Sequence, residues 1–141
     1  MREIFINPGR YDINVDPLES LVDGILTCEG APSKLRIEIT YTDDSYIKKL
    51  NSRYLGRNYP TDCMCFILPD EARNREIADI YISYDRAVEQ AKARKETLDF
   101  ELAILTAHGV LHALGYEDDK LIEEKQEEYA NRFFTPPHPM I

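Results

Sequence analysis

The sequence predicts an α+β fold: a four-stranded mixed β-sheet packed with about five α-helices. Three observations carry that expectation. Residues 35–41 and 77–84 alternate apolar and polar side chains, as half-buried strands do. Five other stretches place apolar residues at helical spacing behind residues that can cap a helix. The resulting order, β-α-β-α-β-β-α-α-α, combines crossovers with one hairpin and so calls for a mixed sheet.

Taken in order, residues 1–7 alternate around Ile4, Phe5 and Ile6 and form a first strand, which Pro8-Gly9 ends. Asp16-Pro17-Leu18-Glu19 reads as a helix start: Asp16 caps, Pro17 takes the first helical position, and Glu19 follows three residues after the cap. Leu18, Leu21, Val22, Ile25 and Leu26 carry that helix to Cys28, before Gly30-Ala31-Pro32 stops it. In residues 35–41 Leu35, Ile37, Ile39 and Tyr41 share one face. A cap within residues 42–45 starts a second helix to Leu55, with Tyr46, Ile47, Leu50 and Tyr54 on its apolar side.

Residues 63–68 form a short apolar strand, residues 69–76 a charged loop, and residues 77–84 a strand that pairs back antiparallel on 63–68. Asp85 caps a helix through Ala93 and Thr97 one through Leu114, and a fifth helix runs from Asp119 to about Phe133. The segment TPPHPMI, residues 135–141, cannot be helical because of its three prolines and reads as a flexible tail. No repeat or low-complexity segment interrupts the chain, so residues 1–141 read as one domain.

Composition narrows the function classes. A 43% hydrophobic, 30% charged chain is that of a soluble globular protein. It has no apolar run long enough to span a bilayer and no apolar leader at its start, so a cytoplasmic protein without a membrane partner is expected. A net charge of −9 argues against a protein that coats nucleic acid through charge alone, but leaves room for a local basic groove. Basic residues do gather at Lys48, Lys49, Arg53 and Arg57, and again at Lys92, Arg94 and Lys95. Of the three cysteines, Cys63 and Cys65 would share one face of a strand and read as small reduced residues of the core.

The chemistry concentrates in residues 106–120, TAHGVLHALGYEDDK. The helix carrying them is apolar nearly all round, through Leu98, Leu102, Leu105, Val110, Leu111 and Leu114, and is therefore central and buried. His108 and His112 stand one turn apart on one face, which is half of a metal site. Gly115 lets the chain leave through a left-handed residue and return Glu117, Asp118 or Asp119 as an oxygen ligand. Three protein ligands and an open fourth position, free for water, make the catalytic pattern of zinc. His138 is a rival third ligand from the proline-rich tail. The residue after His108 is Gly109, so the general base of an H-E-x-x-H peptidase is missing. Glu101, two turns earlier, reads either as a residue that orients something in the pocket or as a solvated first-turn glutamate.

The stretch H-G-V-L-H-A-L-G-Y-E-D resembles the H-G-x-L-H-x-x-G-Y-x-H signature of the YbeY endoribonucleases. The likeness continues upstream through Leu50-Asn51, Tyr54, Gly56 and Pro60-Thr61-Asp62-Cys63-Met64-Cys65-Phe66, and through Ala78-Asp79-Ile80-Tyr81-Ile82-Ser83. It implies a metal-dependent single-strand endoribonuclease of ribosomal RNA maturation and ribosome quality control. The implied partners are ribosomal RNA and the ribosome or a small-subunit ribosomal protein, with no role for DNA. The family's third histidine falls at Asp118, which makes His108, His112 and Asp118 the implied ligands of one Zn2+ per chain. A carboxylate there widens the choice toward harder divalent ions. Leu55 stands where the family has an arginine that serves cleavage. Arg57, with Arg53 or Lys49, is the expected substitute at the phosphate. Cys65 and Ala78 replace a serine and a glycine. The rival functions are a metallopeptidase-like hydrolase and a non-catalytic ribosome-assembly factor whose metal is structural.

Overall fold

A computed structural model describes residues 2–56 and 61–134. The elements run β1 (Glu3–Asn7), α1 (Val15–Cys28), β2 (Leu35–Thr42), α2 (Asp44–Leu55), β3 (Cys63–Asp70), a single 3-10 turn (Glu71–Arg73), β4 (Arg75–Ser83), α3 (Tyr84–Arg94), α4 (Leu98–Ala113) and α5 (Lys120–Phe133). The four strands form one mixed sheet in the order β1-β2-β4-β3, matching the predicted class. β1, β2 and β4 are mutually parallel, and β3 returns antiparallel on β4 with Cys63 opposite Ile82 and Asp70 opposite Arg75. None of the described helices is long and apolar enough to cross a membrane.

Alternation decides which face of the sheet is buried. Ile37, Ile39 and Tyr41 of β2 and Ala78, Ile80 and Ile82 of β4 all point into one core. Against them pack Leu18, Leu21, Val22, Ile25 and Leu26 of α1 and Leu102, Leu105, Val110 and Leu111 of α4. Each such leucine contributes roughly 2 kcal/mol by leaving water. On the opposite face, Tyr46 and Tyr54 of α2 meet Tyr81 and Phe66, with ring centroids 6.0 and 5.5 Å apart.

α4 is the central helix, and residues 101–107 and 109–111 are all buried. It lies close on the sheet at Gly109, where a Cβ would stand 2.7 Å from Ile80 Cγ2 and 2.9 Å from Cys63 Sγ. It is tied to β2 by a buried chain of hydroxyls. Thr106 Oγ1 donates to the Leu102 carbonyl at 2.7 Å, which leaves it to accept from the Tyr41 hydroxyl at 2.6 Å.

Several local expectations are corrected. Asp16 does not cap α1: the helix begins two residues earlier than expected, at Val15 behind Asn14, and Pro17 is its third residue. Proline is still tolerated there, because the first four helical N–H groups have no partner within the helix. Asp85 does not cap its own helix either. Ser83 caps α3 by accepting from Arg86 N at 3.1 Å, while Asp85 accepts from Asp44 N at 2.9 Å, in the first turn of α2. The expected cap Thr97 does accept from its helix, Asp43 caps α2, and the structure shows Asp119 as the cap of α5.

Residues 69–76 are not a loop, because β3 and β4 run on as a hairpin to the 3-10 turn. Arg75 fastens that end through Asp70 at 2.9 Å and Glu3 at 2.8 Å. Cys63 and Cys65 lie half-buried on the core side of β3, opposite Ile82 and Ile80, as reduced thiols. Residues 135–141, the predicted tail with His138, lie outside the described residues.

Candidate metal centre

His108 and His112 occupy the last turns of α4, on its only partly open side, with 22% and 25% of their side chains exposed. The helix then ends abruptly. Leu114 N bonds back to the Val110 and Leu111 carbonyls, Gly115 N to the His112 carbonyl at 3.0 Å, and Tyr116 N to the Leu111 carbonyl at 3.1 Å. Gly115 takes φ of 102°, a conformation that side-chain-bearing residues rarely adopt, and this reverses the chain. Asp118 returns to the histidines as a result. Asp119, next to it, is spent on capping α5, accepting from Leu121 N at 3.0 Å and Ile122 N at 3.3 Å.

Three ligand-type atoms therefore meet. His112 Nε2 lies 3.0 Å from His108 Nε2 and 2.8 Å from Asp118 Oδ1, and His108 Nε2 lies 3.3 Å from the same oxygen. Among the described residues these are the ones grouped closely enough to hold a metal ion. Donors held 2.0–2.1 Å from a tetrahedral zinc stand roughly 3.3 Å from one another. The observed edges are close to that, and two imidazoles with a carboxylate are donor types that zinc takes, so the residues present fit the ion.

Behind His108 stands a residue that sequence reasoning missed. Gln126 of α5 places Oε1 2.6 Å from His108 Nδ1. Its signal was a polar residue in the buried stripe of α5, between Ile122 and Tyr129. A second missed group holds the loop. Glu29, just after α1, accepts from the Tyr116 hydroxyl at 2.6 Å, from Lys125 Nζ at 3.1 Å and from the Tyr129 hydroxyl. Burial raises the Glu29 pKa, but these donors outweigh it and hold the carboxyl below its ordinary value. No local pattern announced Glu29, because its partners lie 87 to 100 residues away.

The remaining predicted site residues are distributed as follows. Lys49 and Arg53 line a shallow groove on α2 with Ser45, Lys48 and Ser52, sharing no residue with the His/Asp group. Arg57 lies outside the described residues. Glu101 is 1% exposed, which overturns the solvated reading, and both its oxygens lie 3.3 Å from Arg94 Nη1. Burial raises its pKa, and the neighbouring guanidinium offsets only part of that. The first residue of β3 forms a wall near the site: Cys63 faces Gly109, and burial, then the neighbouring Cys65 and carboxylates including Asp118, push its thiol pKa up. A thiol kept protonated is a poor ligand.

The family model described as endoribonuclease YbeY matches residues 6–133. The endoribonuclease YbeY of Carboxydothermus hydrogenoformans is 37% identical over 133 residues, covering 90% of this chain and 93% of its own. That of Bacillus licheniformis is 34% identical over 131 residues, covering 82% and 83%. The solution structure of TM1509 from Thermotoga maritima superposes with a TM-score of 0.64 at 27% identity, covering 94% of this chain and 89% of that one. By sequence over nearly its whole length, this chain belongs to the endoribonuclease YbeY family.

Proposed function

We propose that this protein is a zinc-dependent endoribonuclease that cleaves single-stranded RNA in ribosomal RNA maturation and ribosome quality control. The observation that carries the reading is the meeting of His108, His112 and Asp118 in a chain of this family. When bound, the ion supplies Lewis acidity toward a phosphate oxygen and a water acidified toward about pKa 7.

The chain's own residues do the rest. His108 and His112 stand on a helix whose residues 101–107 and 109–111 are buried, so the backbone that carries them is held in place. Asp118, 77% exposed, leaves the site open toward solvent and toward an extended strand of RNA. Lys49 and Arg53 offer phosphate contacts along α2, and Arg57 offsets charge building on the scissile phosphate. With a net charge of −9, a protein of the small ribosomal subunit supplies part of the docking. Unpaired cysteines suit a reducing cytoplasm, where we place the reaction.

Metal content and cleavage of a single-stranded RNA oligonucleotide test this reading together. Wild type should retain about one equivalent of zinc and cut the RNA, and metal-mediated cleavage in other systems sets the expected loss in Asp118→Ala at a hundredfold or more. Unchanged metal content in His112→Ala would remove the ligand assignment. Trace cleavage surviving equally in Asp118→Ala would point to a contaminating nuclease and favour a non-catalytic assembly factor, and cleavage of peptides alone a peptidase.

A further inference from the structure

We infer that Gln126 is a positioning residue for the metal site: its carbonyl oxygen sets the tautomer of His108 and turns the lone pair of Nε2 inward. The inference rests on the metal-site reading of His108, His112 and Asp118.

The geometry leaves little choice of proton. A side-chain carbonyl oxygen only accepts. With Gln126 Oε1 2.6 Å from His108 Nδ1, the proton of a neutral imidazole must sit on Nδ1. Nε2 is then bare. It is the nitrogen that lies 3.0 Å from His112 Nε2 and 3.3 Å from Asp118 Oδ1, at the centre of the site.

Without Gln126 the preference would reverse. A carboxylate 3.3 Å from Nε2 attracts a proton to that nitrogen, and a protonated Nε2 cannot bind a metal. Gln126 therefore holds His108 in its ligating form against the pull of Asp118. The two histidines differ in this respect. Among the described residues His112 Nδ1 has no hydrogen-bond partner, so His112 must settle its tautomer as the ion arrives, whereas His108 is preset.

The position of Gln126 in the fold supports a dedicated role. It lies on α5 four residues after the buried Ile122 and three before the buried Tyr129, on the stripe that packs toward the core. A leucine would suit that stripe better if packing were the only demand. Neighbours on α5 also hold its helix in place, since Lys125 and Tyr129 are both bound to Glu29.

Two substitutions separate positioning from packing. Gln126→Leu keeps the volume and removes the acceptor; Gln126→Glu keeps an acceptor and adds charge. Zinc affinity, measured by competition with a chromophoric chelator, should fall about ten- to a hundredfold in Gln126→Leu, the usual effect of losing such a partner. In Gln126→Glu it should stay within a few-fold of wild type. A packing role gives the opposite order, with leucine tolerated and glutamate harmful, and that result overturns the inference. Ring 15N NMR of the metal-free protein provides the second readout. His108 should carry its proton on Nδ1 in wild type and in Gln126→Glu, and on Nε2 in Gln126→Leu. An Nε2-protonated His108 in the wild type overturns the inference whatever the metal result. Wild type that takes up no zinc, yet shows the Nδ1 proton, removes the metal reading and confines the role of Gln126 to the ring.

Discussion

The loop between α4 and α5 carries two side chains, Asp118 and Tyr116, that enter two carboxylate clusters of opposite character. In one, Asp118 is 77% exposed and faces two imidazole nitrogens. In the other, Glu29 is 12% exposed and accepts hydrogen bonds from Tyr116, Tyr129 and Lys125. Every partner of Glu29 is a donor, so that carboxylate is satisfied by the protein itself. Around Asp118 the partners are two imidazole nitrogens, each a lone pair or a proton donor according to its tautomer, and a cation among them would take a lone pair from all three groups. A cluster of acids and polar groups is thus a metal site or a structural knot according to where the protons are, and residue type alone does not distinguish them.

Removing each carboxylate should separate the two roles. The largest change in stability is expected from Glu29→Ala, which leaves two hydroxyls and an ammonium without their acceptor. Chemical denaturation should show a loss of about 3 kcal/mol or more, from three hydrogen bonds to an ionised carboxylate, one of them donated by an ammonium. A loss below about 0.5 kcal/mol, the range of an ordinary surface substitution, would mean the knot is not structural.

Asp118→Ala should behave inversely. Metal-free stability should move by no more than about 0.5 kcal/mol, because the side chain is mostly in solvent. Zinc affinity should fall by about a hundredfold or more, as a ligand is lost. Equal losses of stability and affinity in both variants would erase the distinction.

The smallest effect is one of pH. The folded-state pKa of Glu29 is held below the ordinary 4.5, so its contribution is fully present above that value and fades as pH falls through the lowered one. Wild type should therefore lose stability between neutral pH and pH below 4 more steeply than Glu29→Gln. Parallel curves would show that Glu29 is not the group responsible.

Much of this was legible in the sequence, for physical reasons that can be named. Period-two alternation revealed β2 and β4, and the cap Thr97 was readable because a helix start is a local event. The return of an acidic residue to His108 and His112 followed from a one-turn spacing and a glycine that reverses the chain, while the choice of Asp118 over Glu117 and Asp119 came from the family resemblance. Asp85 shows the limit of such reading, since it caps a helix forty-one residues earlier in the chain. Residues 69–76 looked like a charged loop because their charges are satisfied across the sheet, Arg75 by Glu3. Glu101 looked solvated because its burial depends on α4 being covered on every side, a property of the assembled fold. Glu29 was invisible for the same reason, its partners being brought to it by packing, and Gln126 showed only as a polar residue in an apolar stripe, with nothing to name His108 as its partner.

Gly109 has a consequence beyond close packing. A glutamate in that place would give the helix the H-E-x-x-H pattern, with a base beside the metal. The position faces Ile80 and Cys63, however, with no room even for a Cβ. Acquiring that base would require a cavity in the sheet to be carved first, at the cost of core packing and with no immediate gain in chemistry. The spacing between α4 and the sheet thus acts as a barrier in sequence space, separating this scaffold from the peptidases that use the same pair of histidines.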